Sequence, residues 1–362
     1  MALPSFFRKF DWVLLGLVAA IVVLGVITFW GIGAKSLVFV QRQITFLILG
    51  MVIMIAVSFL DYRIFKNFSS ASIAIYLTAI ILLILALASR EIRGVSSWII
   101  FKNFTFEPSE FAKLAILILL AKYFSQKHVE IYRAHHILAS GFYVLIPAVL
   151  TLLQPDLGST LVFVALWLAI LLIAGIKRRH LLIILMIGAI ISSLGWLFAL
   201  KPYQKARIVS FINPYLDPRG SGYNALQARI AIGSGQIWGT SFTNQRAVSG
   251  TLVPEPYGDF AFSIFARKFG FFGVAVLFSL FAALMFRIGS IAAKTDNNFA
   301  KLFSLGFLVI VFTHVFINAG MNLGILPITG IPFSFLSYGG SHLMTLMIGL
   351  GIIQSIRINS RP

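Results

Sequence analysis

Two carboxylates and an ammonium crowd the start of one apolar run. In FTFEPSEFAKLAILILLAKYF, from residue 104, Glu107 and Glu110 precede Lys113, and mostly Leu, Ile and Ala follow. A charge near hydrocarbon is costly, so each asks for a partner or a task. Glu110 and Lys113 are three residues apart, share one helix face and can pair. An ammonium oriented by a carboxylate is a positioned cation, suited to a phosphate group. The same residues also read as a helix start. Pro108 suits a first turn, an acid there complements the macrodipole, and a lysine can snorkel to the interface.

Two aspartates raise the same choice. In LLQPDLGST, Asp156 lies between Pro155 and Gly158, which mark a break between apolar runs. It reads as a turn or cap aspartate, or as a functional acid. Asp259, in GTLVPEPYGDFAFSIFARKFGF, ends a long polar stretch directly before an apolar run. There it meets water on one side and a lipid-borne substrate on the other. An ionised carboxylate in that place accepts a proton from a hydroxyl, and neighbouring cations favour the ionised form. An interfacial cap is the plainer reading. Asp217-Pro218-Arg219-Gly220 reads first as loop punctuation.

The elements that carry these residues are membrane helices. The chain has 362 residues, 59% apolar and 11% charged, where soluble domains carry about 25% charged residues. Its mean hydropathy is +0.96. Crossing a bilayer takes roughly 20 mostly apolar residues per helix. Ten stretches qualify: about 12–32, 41–60, 71–89, 110–126, 137–153, 158–176, 180–200, 262–286, 299–320 and 341–357. The expected fold is an all-α integral membrane protein, one polytopic domain over 1–362, without an internal repeat. The first stretch reads as an uncleaved span.

Loop charges orient the spans. Basic clusters such as Lys177, Arg178 and Arg179 fall on the side of both termini, while the short loops opposite carry only Lys35, Arg42, Arg90, Arg93 and Lys102. The termini are therefore expected in the cytoplasm. Residues 201–261 form one large extracytoplasmic loop, in which Lys201, Lys205, Arg207, Arg219, Arg229 and Arg246 outnumber Asp217, Glu255 and Asp259. With a net charge of +18, this reads as a basic outer face that suits an anionic lipid headgroup, and not nucleic acid.

Several chemistries are excluded. Without cysteine there is no disulfide, thiolate metal site or cysteine nucleophile. The six histidines show no His-Glu-x-x-His pair, and His314, on an apolar span, reads as a packed, hydrogen-bonded residue. IAIGSGQIWGTS lacks the lysine of a nucleotide loop, and no organic cofactor is expected. GILPITGIPFSFLSYGGS, apolar and glycine-rich before the last span, reads as a re-entrant wall or as a tight connection.

Four motifs together resemble a known family. FEPSEFAKLA, LLQPDLGST, NPYLDPRGSGYNALQARIAIGSGQIWG and GILPITGIPFSFLSYGGS stand in the order and spacing of the SEDS family of shape, elongation, division and sporulation proteins. That family includes RodA, FtsW and SpoVE, and the likeness, over residues 12–357, is slightly nearer to RodA. It implies a glycosyltransferase that polymerises lipid II into glycan strands, in elongation or division, beside a single-span class B penicillin-binding protein. Other cell-wall elongation or division proteins and membrane lipids are implied as further partners. Asp259 matches the family's essential loop aspartate, Glu110 and Lys113 its Pro-Ser-Glu-x-x-Lys residues, and Asp156 its Gln-Pro-Asp aspartate. Arg207, Gln227 and Trp98 match further family positions, and Ser337, Tyr338, Gly339 and Gly340 its Ser-Tyr-Gly-Gly loop, all as substrate-binding candidates.

The resemblance implies Asp259 as general base, Lys113 and Arg207 as pyrophosphate stabilisers, and Glu110 as the group that orients Lys113. A divalent cation, Mg or Mn, is expected from phosphoryl chemistry, with no ligand cluster legible. Two departures stand near the base. Tyr257-Gly258 replace the usual His-Thr, and Ala266-Arg267-Lys268 replace paired glutamates, a more positive field that would weaken Asp259 as a base. The rival readings are a lipid II flippase or organic-anion transporter, which intramembrane charges also suit, and a scaffold for a partner.

Overall fold

The computed structural model describes residues 8–32, 36–89, 96–101, 104–127, 134–217, 220–240 and 255–359. Lys35, Arg90, Arg93, Lys102, Pro218, Arg219 and Arg246, which the loop readings used, lie outside the described residues. Ten long helices are described. They are α1 (Trp12–Phe29), α2 (Ser36–Ser58), α4 (Ser69–Leu87), α5 (Pro108–Lys127) and α6 (Ala134–Leu153), then α7 (Leu157–Ala174), α8 (Arg178–Leu194), α11 (Ala261–Ala293), α12 (Asn298–Leu323) and α13 (Gly340–Asn359). A short α3 (Arg63–Asn67) joins α2 to α4. The chain is a multi-span, all-α membrane protein, as composition predicts.

Nine of the ten helices are long and apolar enough to cross a membrane by composition. The exception is α5, which carries Glu110, Lys113, Lys122 and Lys127. It escapes lipid by standing inside the bundle. It packs against α4, α6, α7, α12 and α13, and from Ala112 to Lys122 every residue is buried. Small residues let it approach α12 closely: a Cβ added at Gly306 would come within 2.3 Å of the Leu117 side chain. Such close contact is the usual basis of helix association in lipid, where apolar burial drives little. By contrast, no residue of α8 is buried.

Two short strands, β1 (Ile99–Phe101) and β2 (Phe104–Phe106), pair antiparallel with Ile99 opposite Phe106, and β2 leads directly into α5. The long loop is partly helical, with α9 (Pro202–Ile212) and α10 (Ser221–Ser234) inside it. The span expected at 262–286 is longer and bent. Gly270 adopts φ 65° and ψ −167° within α11, a conformation open to glycine but not to a residue with a side chain. The break frees two N–H groups, and the chain reuses them: Phe271 donates to the Gln236 carbonyl at 2.8 Å and Phe272 to that of Ile237 at 3.0 Å.

The connection from α12 to α13 does re-enter the bundle. Its Pro332 carbonyl meets His314 Nδ1 at 3.2 Å. His314 stands nine residues before the end of α12, so the connection descends about 13 Å along that helix. Non-helical backbone survives at such depth because protein, not lipid, surrounds it. Ile331, Phe333, Phe335 and Leu336 are all buried. At the opposite end of the bundle, buried Asp11 caps α1 and binds Arg287 of α11 through two bonds, at 2.7 and 3.2 Å. Arg357 of α13 also pairs with it. Gln354 of α13 closes the clamp on the Asp11 backbone with two bonds at 2.9 Å.

Candidate active site

The first turn of α5 begins the site. Glu110 Oε1 and Lys113 Nζ lie 2.8 Å apart, as the three-residue spacing predicts. Both are about 2% exposed, so the lysine does not snorkel. It is held from the other side by His314 Nε2 at 3.1 Å. A carbonyl oxygen only accepts, so the bond between His314 Nδ1 and Pro332 fixes a hydrogen on Nδ1. Nε2 is then the acceptor for the ammonium. The second Glu110 oxygen accepts from His342 Nδ1 of α13 at 2.8 Å, and the two imidazoles stack at 4.7 Å. An ammonium has three N–H donors. Two are bonded to these partners, and Lys113 lines the cavity beside it with what remains.

Glu110, His314 and His342 also place three ligand atoms within 4.8 Å of one another, the reach of a single metal ion. The Lys113 ammonium already bonds two of those three residues and supplies positive charge at that point. A cation there would have to displace it, so the group does not suit a metal ion while Lys113 is in place.

Asp259 is positioned through its backbone. Its carbonyl oxygen accepts from the carboxamides of Asn318 and Asn322, each at 3.0 Å, one turn apart on α12. Asn318 reaches the Ile331 carbonyl at 2.7 Å as well, so one side chain joins the aspartate loop to the re-entrant connection. Ser337 ties the same two segments. Its hydroxyl donates to the Gly258 carbonyl at 2.7 Å and accepts from the Phe333 N–H at 3.0 Å. Gly330 has φ +78°, and a Cβ there would lie 3.7 Å from Asp259 Oδ2. Asp156 caps α7 by accepting from the Ser159 N–H at 2.9 Å, as its cap reading expects, and it also lines the cavity.

Two cavities meet at this point. One, of about 410 Å³, is lined by Trp98, Glu107, Glu110, Lys113, Asp156, Arg207, Glu255 and Asp259 among others. The second, of about 470 Å³, is lined by Arg42, Phe46, Trp98, Glu107, Asp259, Tyr338, Gly339, Gly340 and His342 among others. Both volumes suit a polar headgroup. Trp98, Glu107, Gly258, Asp259, Gly330 and Pro332 line both.

Most of the sequence-predicted residues thus come together, and two do not. Gln227, on α10, lines neither cavity, and buried Ser337 serves the loop backbone instead of the cavity wall. Among the described residues, Arg207 is the one cation of 201–261 that lines the site. One of the departures near Asp259 is engaged elsewhere. The Lys268 ammonium bonds the last carbonyls of α1, at 2.6 Å to Ile27 and 2.8 Å to Trp30. Neither Arg267 nor Lys268 lines either cavity. The Tyr257 hydroxyl donates to the Ile32 carbonyl, and its ring stacks on Phe39 at 4.0 Å. His314, His342 and Glu107 were not singled out for a role. The histidines stand about 200 residues from Lys113 and Glu110, and no short motif links them.

Known proteins share this arrangement of helices. The family described as cell cycle protein, that of FtsW, RodA and SpoVE, matches residues 5–362. The peptidoglycan glycosyltransferase MrdB of Escherichia coli K12 is 30% identical over 352 residues, covering 97% of this chain and 94% of its own. Stage V sporulation protein E of Bacillus subtilis is 31% identical over 328 residues, 90% of this chain and 88% of its own. A chain from a peptidoglycan synthase complex that coordinates polymerization and crosslinking superposes with a TM-score of 0.83 at 31% identity, over 96% of this chain and 97% of that one. The rod shape determining protein RodA of Thermus thermophilus superposes with a TM-score of 0.73 at 28% identity, over 98% of each chain.

Proposed function

The chain belongs to the FtsW, RodA and SpoVE family of cell cycle proteins, and from that membership we propose that it is a peptidoglycan glycosyltransferase which polymerises lipid II into glycan strands. The observation that carries the reading is the position of Asp259 where two cavities meet. Asp259 lines both, as a transferase needs if one cavity holds the donor and the other the acceptor.

The cavity with Lys113 and Arg207 takes the donor's pyrophosphate, and the one with Arg42 and Tyr338 takes the acceptor. The acceptor hydroxyl oxygen attacks the anomeric carbon of the donor sugar and forms the new glycosidic bond. Asp259 accepts the hydroxyl proton, a contribution of about 10²–10⁴-fold for general bases. The bond from the anomeric carbon to the pyrophosphate oxygen breaks and leaves its electron pair on the lipid pyrophosphate. Lys113, fixed by Glu110 and His314, and Arg207 oppose that charge without having to reorganise.

The site end of the bundle faces outward, both termini are cytoplasmic, and the membrane is the bacterial inner membrane. A class B penicillin-binding protein acts beside the chain as crosslinking partner, within a machinery of elongation, as for RodA, or of division, as for FtsW. The synthase complex among the structural relatives supports that pairing. The test is purified protein in liposomes, with and without its cognate transpeptidase, given labelled lipid II. Wild type should yield long glycan chains on a gel, and an equally well folded Asp259→Asn none. Polymer from both would discard Asp259 as base. Lipid translocation without polymer would replace the enzyme by a transporter.

A further inference from the structure

Of the six residues that line both cavities, two can ionise: Asp259 and Glu107. Glu107 sits one residue before α5 and is fixed twice. Its N–H donates to Ser341 of α13 at 3.1 Å, and its Oε1 accepts from Ser109 at 3.0 Å, with Ser159 behind at 3.2 Å. No ion pair involves Glu107 among the described residues.

Its surroundings are acidic. Glu110 on α5, Asp156 before α7, and Glu255 and Asp259 in the loop before α11 share the 410 Å³ cavity with it, against Lys113 on α5 and Arg207 on α9. Arg42 of α2 and His342 of α13 face it across the second cavity. Burial, then the Glu110 and Asp156 charges, push the Glu107 carboxyl up to about 8, against the opposing pull of Lys113 and the Ser109 bond. This favours the protonated carboxyl.

We propose that Glu107 is a second substrate-contacting carboxyl, which in its protonated form donates a hydrogen bond to an oxygen of the departing pyrophosphate. The inference rests on the polymerase reading. Asp259 accepts the acceptor's proton, the pyrophosphate departs with its electron pair, and Glu107 keeps its own proton throughout. An ionised Glu107 would add a fifth negative charge to a cavity that must admit an anion.

The test is the pH profile of polymer synthesis by the full-length protein in liposomes with its transpeptidase, comparing Glu107→Gln and Glu107→Ala with wild type. Wild-type rates should fall about tenfold per pH unit above roughly pH 8, as a single required proton is lost. Glu107→Gln keeps an N–H donor and has no proton to lose, so it should stay active and lose that alkaline limb, while Glu107→Ala is slow at every pH. A folded Glu107→Gln that is as slow as Glu107→Ala, or that keeps the wild-type limb, overturns the proposal. Ser109→Ala decides the matter if Glu107→Gln fails to fold. It removes the bond that favours the ionised form, so the limb should move to higher pH, and an unmoved limb counts against Glu107. Absence of polymer from wild type at every pH would instead sink the polymerase reading itself.

Discussion

Lys113→Met and Glu110→Gln, singly and together, separate what the buried pair does for stability from what it does for chemistry. The side chains are 2% and 3% exposed and 2.8 Å apart. Lys113→Met leaves the Glu110 carboxylate with His342 alone, and Glu110→Gln leaves the ammonium with His314 alone. Stranding a buried charge in this way costs about 3–5 kcal/mol, so each single variant should lose that much. The double variant strands no charge. Methionine nearly fills the space of the lysine stem, and the glutamine oxygen can still accept from His342. What remains is the His314 Nε2 acceptor without a donor, about 1–3 kcal/mol. The two single losses would sum to roughly 6–10 kcal/mol if independent, so the coupling should be at least about 3 kcal/mol.

Activity should not follow stability. The cavity loses its positioned cation in Lys113→Met and in the double variant alike. Removing one preorganised group of this kind costs about 10²–10³ in rate. Unfolding in mixed micelles, followed by tryptophan fluorescence, reads the first quantity, and labelled lipid II with the partner transpeptidase reads the second. The double variant should regain most of the stability and none of the rate. Stability losses that add within about 0.5 kcal/mol would refute the buried pair, and restored polymer synthesis in the double variant would refute the role of the ammonium.

Three further outcomes follow from named contacts. Ser337→Ala removes a hydroxyl that bonds both the Gly258 carbonyl and the Phe333 N–H, so it should cost about 1–3 kcal/mol and slow polymerisation, with both measured on the same preparation. Gly306→Ile forces a side chain into the Leu117 contact between α5 and α12, which should destabilise by about 1–3 kcal/mol or more and lower the rate through displaced Lys113 and His314. Gln227→Ala, at a position that lines neither cavity, should leave initial rates within about twofold of wild type, and a large loss would mean that α10 reaches the substrate.

What the sequence made legible follows a physical divide. Spans were legible because lipid demands length and apolarity, and those are local properties. The Glu110–Lys113 pair was legible because three residues along a helix is a fixed geometry. Even α5 was found by its apolar stretch, although composition alone places it outside the membrane-crossing helices. The groups that complete the site were not legible. His314 and His342 meet Lys113 and Glu110 because α12 and α13 pack against α5, and tertiary contact across about 200 residues leaves no trace in spacing. The basic outer loop was legible only as a sum of charges. Counting charges along a segment cannot say which of them line the site, and among the described cations of residues 201–261 only Arg207 does.

The placement of α5 explains why the charges can be there at all. A helix that faces lipid cannot carry an acid and a lysine in its first two turns without a large desolvation cost. Inside the bundle, α12 and α13 supply imidazoles that satisfy both groups, and the re-entrant connection supplies the Pro332 carbonyl that fixes one of those imidazoles. The same connection holds Asp259 through Asn318 and Ser337. Cation and carboxylate are therefore set by one piece of backbone. A disturbance of that connection should displace both together, so variants at Ser337 and at Lys113 should combine with less than additive effect on rate. Fully additive losses would mean that the two halves of the site are positioned independently.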